Sequence, residues 1–150
     1  MNALNIIVHN TTSHNRMLNR LAGVLLIGLL AAPQLTLASV VAEQQAEYRA
    51  SGAGPFSAQT GEQLWQRKVV DAKDGRERSC TTCHGADLRR IGKHAKTGKA
   101  IDPMSPAVNA ERLTSAKKIR KWFKRNCKWT WGRECTAQEQ GDLLSFIQSQ

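Results

Sequence analysis

Acidic residues are in short supply in this 150-residue chain, with 12 Asp and Glu against 22 Lys and Arg and a formal charge of +10. So basic a surface suits acidic protein partners or an anionic membrane face, and no nucleic acid is expected, because no recognition motif accompanies the charge. Long apolar runs are also lacking. The one sustained run, from Leu21 to Leu30, is too short to cross a bilayer. No stretch alternates apolar and polar residues in the manner of a strand, and no segment repeats, so neither a sheet protein nor a solenoid is expected. Methionine is rarest where it matters: beyond Met17 the chain has Met104 and no other.

The N-terminus has the layout of a secretory signal peptide. Arg16 and Arg20 precede the short apolar run, Pro33 ends it, and small residues follow. Cleavage after Ala38 or after Ala42 satisfies the small-residue rule, and Met17 stands as an alternative start because residues 1–16 make an unusually long leader. An uncleaved membrane anchor is the competing reading, weakened by the shortness of the run. The expected organisation is a signal peptide over residues 1–38 and a single domain over 39–150, periplasmic and not membrane-spanning after processing. Loss of the leader removes Arg16 and Arg20 and no acid, so the exported chain stays strongly basic.

Cys80-Thr81-Thr82-Cys83-His84 is the one motif that points to a cofactor. Two thiols at this spacing, followed at once by histidine, form the attachment site of a c-type haem: each sulfur makes a thioether to a vinyl group and His84 becomes the proximal iron ligand. Zinc would need a second matching pair, and a redox-active dithiol would sit in a βαβ unit; neither context exists in the sequence. One haem c, covalently bound through Cys80 and Cys83, is therefore the expected cofactor. Such attachment belongs outside the cytoplasm, in agreement with the leader.

Around this motif the chain reads as helices and loops. Alanines at 42, 46 and 50 predict a short leading helix, ended by Gly52-Ala53-Gly54-Pro55. Thr60 is the expected cap of a second helix, with Gln63 completing a weak capping box and Gly61, Leu64, Trp65, Lys68 and Val69 on one face. A glycine on that face permits a close helix crossing. Residues 71–79 read as a charged surface loop, and residues 85–106, rich in Gly, Lys and Pro, as a long loop against one haem edge. A basic helix should run from Thr114 or Ser115 to about Arg125, with Ala116, Ile119, Trp122 and Phe123 as its apolar stripe. A last helix follows, opened by a Thr136–Glu139 capping box and burying Leu143, Leu144 and Ile147. This order resembles a class I c-type cytochrome, in which the first and last helices cross near a glycine. The fold class implied is all-α, a small cytochrome c-like domain wrapped around one covalently attached haem.

The sixth iron position is less plain. An electron-transfer cytochrome of that class presents a methionine sulfur from the segment between its last two helices. Here that segment, Asn126 to Cys135, holds neither Met nor His. Met104, twenty residues beyond His84, would have to cross to the far face of the haem too early, and His94 reads as a solvated loop residue. Lys128 would qualify only when deprotonated. In an oxidising compartment Cys127 and Cys135 are expected to pair, closing a nine-residue loop worth about 2.6 kcal/mol by chain entropy. Two free thiols, or Cys127 as a thiolate ligand, are the alternatives.

Cys80 to Asp87, Thr97-Gly98-Lys99, Arg125-Asn126-Cys127, Gly132 to Cys135 and Asp142-Leu143-Leu144 together resemble the oxygen-binding c-type cytochromes known as the sphaeroides haem protein (SHP) family. The likeness runs from about Ala42 to the C-terminus, and Trp129 and Trp131 lie outside the motifs that carry it. It implies His84 and Asn126 as iron ligands, Asn126 standing directly before the first cysteine of a Cys127–Cys135 disulfide. It further implies a periplasmic protein that accepts an electron and, once ferrous, releases the Asn ligand and binds O2, NO or CO. A dihaem cytochrome c and a membrane cytochrome b are the implied redox partners. The ligand chemistry agrees, since a neutral amide is a hard, weak donor that prefers ferric iron whereas a thioether favours ferrous. Asn126 also has an ordinary structural reading, as a helix C-terminal residue satisfying the last carbonyls. Two other functions stay open: a His/Met electron carrier using Met104, and a haem enzyme converting NO, O2 or peroxide, for which no distal general base is legible.

Overall fold

A computed structural model describes residues 39–150, and the leader expected over residues 1–38 lies outside them. Helix α1, Val40–Ala50, begins before Ala42 because the Ser39 side chain accepts from the Ala42 amide and caps it. Helix α2, Ala58–Gln66, is capped by Ser57 rather than by Thr60, which lies inside the helix and donates its amide to Ser57 Oγ at 3.2 Å. A distant residue sets that start: the Asp142 carboxylate accepts from the Ser57 amide at 2.7 Å. No local pattern could carry that information.

The segments expected as loops contain two short antiparallel pairs. Strand β1, Val69–Val70, pairs with β2, Glu77–Arg78, and β3, Gly92–Lys93, pairs with β4, Ala100–Ile101. Strands of two residues have no alternation to read, so the expectation of none fails for a physical reason. Arg78 closes the first hairpin by pairing with Asp71 at 2.8 Å and Asp74 at 2.7 Å. The second hairpin packs on α3, Thr81–His84, where a side chain at Gly92 would run into the Cys83 carbonyl.

Helix α4, Ala116–Trp131, departs most from expectation. It continues past Arg125 through Asn126, Cys127 and Trp129, a stretch expected to be loop, and stops at Gly132, which is left-handed at φ 71°. Ser115 caps its start. Helix α5, Ala137–Gln148, opens with the expected box, Thr136 and Glu139 exchanging side-chain and backbone bonds. Of the stripe read on α4, Ile119 is buried, but Trp122 stays 48% exposed.

Two clusters of buried side chains hold the elements together. One joins Trp65 of α2, Cys127 and Trp131 of α4, and Leu143 and Phe146 of α5; the other joins Val41 and Tyr48 of α1 to Ile119 and Leu144. Helices α2 and α5 cross where Gly61 meets Asp142, and a Cβ on Gly61 would strike the Asp142 carbonyl and sit 2.7 Å from Phe146 Cβ. Gly61→Ala should therefore force the helices apart and cost about 1–3 kcal/mol, as overpacking does. A denaturant midpoint equal to that of the unmodified protein would refute the tight crossing.

Candidate haem site

The short helix α3 carries the attachment motif. Thr82 Oγ1 accepts from the Ser79 amide at 3.0 Å, and Gly85, at φ 75°, turns the chain sharply after His84. Trp65 of α2 steadies this turn: its indole donates to the Gly85 carbonyl at 3.0 Å, and its ring lies 5.4 Å from the His84 ring, tilted by 42°. Position and tilt of the imidazole thus depend on a helix nearly twenty residues upstream.

Protonation states favour a metal ligand over a redox dithiol. Burial, with the Arg112 charge adding to it, pushes His84 down to about 4, so the imidazole is neutral at ordinary pH and keeps a lone pair to donate. Its Nδ1 is buried and has no hydrogen-bond partner. Burial pushes the Cys80 thiol up to about 12, the reverse of the lowered value a redox-active Cys-x-x-Cys requires. Among the described residues no group of three or more His, Cys, Asp and Glu stands together as a closed metal site.

Cys80, Cys83 and His84 open into a cavity of about 760 Å³, a volume in the range of cofactor sites. Leu143, Leu144 and Ile147 of α5 and Ile119 and Phe123 of α4 supply apolar wall. The residues fit a haem: two thiols not bridged to one another at the thioether spacing, a buried neutral imidazole, and a large apolar space beside them.

Each candidate for the far side of the iron can now be located. Asn126 is half-buried and lines the same cavity from within α4, five residues before the helix ends, so the ordinary reading as a C-terminal residue fails. Met104, expected to lie too soon after His84 to cross to the far face, also lines the cavity. Its amide, like that of Ser105, donates to the Leu88 carbonyl, at 2.9 and 3.0 Å, which ties it to the chain just after His84. His94 lines the cavity too, but is exposed, and its Nδ1 serves the β3–β4 turn by accepting from the Thr97 amide at 3.1 Å. Lys128 is exposed and pairs with Glu134 at 3.0 Å. Cys127 and Cys135 are joined in a disulfide, Cα atoms 5.6 Å apart, that ties the last turn of α4 to the start of α5; Cys80 and Cys83 take no part in it.

Two residues of the site have no signal in the sequence. Arg112 lines the cavity and bonds the carbonyls of Asp102 and Pro103 at 2.6 and 2.7 Å, pinning the strap that carries Met104. Trp131 adds an indole N–H that is buried and unpaired. Only the fold shows either role, since neither belongs to a spacing or a periodic face.

Comparison with known proteins agrees with the geometry. The family described as a domain of unknown function (DUF1924) matches residues 51–147. The chain is 37% identical over 127 residues to the cytochrome c-type protein SHP of Cereibacter sphaeroides, a match spanning 85% of this chain and 97% of that protein. Cytochrome c″ of Methylophilus methylotrophus is 28% identical over 88 residues, 59% of this chain and 61% of that one. The structure of oxidized SHP, an oxygen binding cytochrome c, matches with a TM-score of 0.67 at 36% identity, over 76% of this chain and 100% of that one. The solution structure of cytochrome c″, described for its haem-ligand detachment, matches with a TM-score of 0.60 at 27% identity, over 71% of this chain and 90% of that one. The fold is that of a class I c-type cytochrome. Within that class the chain belongs to the SHP family, and haem c is the cofactor this membership implies.

Replacing both Cys127 and Cys135 by Ser should lower the unfolding free energy of the haem-loaded protein by about 2.6 kcal/mol, the chain-entropy value for their loop. Chemical denaturation measures it, and an unchanged midpoint would show that packing alone holds α4 to α5.

Proposed function

We propose that the chain is a periplasmic monohaem cytochrome that takes one electron and then binds a small diatomic molecule. Haem c, held through Cys80 and Cys83, supplies a one-electron couple and, when ferrous, an axial position open to O2, NO or CO. His84 is the proximal ligand; its neutral imidazole needs no proton loss to bind iron. Asn126 would hold the sixth position when the haem is oxidised, and its weak amide would be given up on reduction. The observation that carries this reading is Asn126 itself, an amide presented to the cavity from mid-helix, with no Met or His anywhere on α4 or in the turn after it. The relatives lend support: one is an oxygen binding cytochrome c, and the other is described for detachment of a haem ligand.

A displaced Asn126 side chain remains at the cavity wall, where its NH2 can donate to a bound diatomic and stabilise a polar one. Export fits the described structure as well. Ser39 caps α1 and Val41 is a buried core residue, so cleavage after Ala38 keeps both whereas cleavage after Ala42 removes them. A second reading, an electron carrier with Met104 bound, draws on the one observation that Met104 lines the same cavity.

Optical spectra separate the two. Asn126→Ala should convert the ferric protein to a high-spin or water-bound form, while Met104→Leu should leave its spectrum unchanged. The unmodified ferrous protein should take up CO. A low-spin ferrous species indifferent to CO, or a spectral change confined to the Met104 variant, would favour the electron carrier.

The electron arrives through a basic face. Lys117, Lys121 and Lys124 are exposed along α4, and Trp122, at the cavity rim, lies under the Lys121 and Arg125 cations at 5.6 and 5.3 Å. An acidic redox protein, the role a dihaem cytochrome c linked to a membrane cytochrome b would fill, complements that charge. Reversing Lys121 and Lys124 to Glu should slow reduction by an acidic donor about tenfold at low salt, with the difference shrinking as salt rises. Stopped-flow reduction at two ionic strengths tests the face, and equal rates for variant and parent would remove it.

A further inference from the structure

Trp131 is the last residue of α4 and part of the cavity wall; it is 8% exposed, yet its buried Nε1 has no hydrogen-bond partner. An indole N–H can only donate, and a buried donor left unpaired is costly, so its position calls for an acceptor inside the cavity. The surroundings say what sort of acceptor. The guanidinium groups of Arg67 and Arg133 each lie over the Trp131 ring, 5.6 Å from its centre. Both share one carboxylate, Glu139, at 3.8 Å from Arg67 and 2.6 Å from Arg133, and Glu139 also accepts from the Thr136 amide. Two cations against one anion leave a positive charge beside the indole. The C-terminal end of α4 opposes it with only about half a negative charge, so the balance still favours an anion.

Trp131 is set apart from the proposed sixth ligand along α4. Trp131 follows Asn126 by five residues on one helix, a separation of about 7.5 Å along the axis and about 140° around it. A group placed so far from the sixth ligand serves the edge of the cofactor. The anionic groups at the edge of a haem are its two carboxylates.

We infer that the Trp131 indole N–H donates to a haem propionate, with Arg67 and Arg133 as the cations that favour an anion there. The inference rests on the haem reading above and concerns how the cofactor is seated. Trp131 is a positioning residue, orienting the haem plane relative to Asn126.

Trp131→Phe keeps a ring for the two arginines and removes the donor, and resonance Raman spectra of the CO complex then compare haem-loaded parent and variant. The expected result is a shifted propionate bending mode with Fe–C and C–O stretches unchanged. An unchanged propionate mode, or a shift in the C–O stretch, overturns it. Should the variant not fold, the unmodified CO complex answers the question: its Trp131 indole proton should exchange slowly and show cross-relaxation to propionate methylene protons, and the absence of that contact overturns the assignment. A haemochrome spectrum without thioether-linked haem in the unmodified protein would overturn both this inference and the haem reading; a normal haemochrome without the contact overturns this inference alone.

Discussion

The close crossing of α2 and α5 at Gly61 is the contact on which the site depends. Only a residue without a side chain lets the Asp142 carbonyl approach so near, and the same Asp142 carboxylate holds the amide of Ser57 and so starts α2. From that fixed start α2 delivers Trp65 to the Gly85 carbonyl and against the His84 ring. From the other side of the crossing α5 delivers Leu143, Leu144 and Ile147 to the cavity. One helix contact therefore places both the support of the imidazole and part of the apolar wall that excludes water. Exclusion of water is what keeps His84 neutral, since burial is the largest cause of its lowered value.

The second half of the site is built on α4, and its unbroken course changes the character of Asn126. In a loop the residue could swing with the backbone; in a helix stapled to α5 through Cys127 and Cys135 the backbone stays and the side chain rotates. On the proposed reading, release of the Asn126 amide would need a change at two side-chain torsions and no refolding. The same helix carries Trp131, over whose ring lie Arg67 from the end of α2 and Arg133 from the turn after α4, so Asn126 and the Trp131 indole are held by one element.

Much of this was legible along the chain. The Cys80–His84 motif, the Gly61 face and the Thr136–Glu139 box are local patterns, and each depends on spacing alone. The failures share a cause. Thr60 is the expected cap, but Asp142 fixes the Ser57 amide and starts the helix earlier, and the two-residue strands are held by partners rather than by propensity. Helix α4 runs past the expected end at Arg125 because tertiary packing overrides the modest helix propensity of Trp129, Thr130 and Trp131, the last of which joins Cys135, Leu143 and Phe146 in the core. Met104, expected to lie too soon after His84 to reach the far face of the haem, is tied by its amide to the Leu88 carbonyl while its side chain lines the cavity.

The sequence by itself determined the cofactor motif, the poverty of ligands between the last two helices and the basic charge, because these are properties of residue identity and spacing. Tertiary structure alone decided that Asn126 faces the cavity from a helix, that Met104 shares that cavity while tethered near His84, and that Trp131 has a buried donor to satisfy. Burial and unpaired polar groups exist only once distant segments exclude water from the same space.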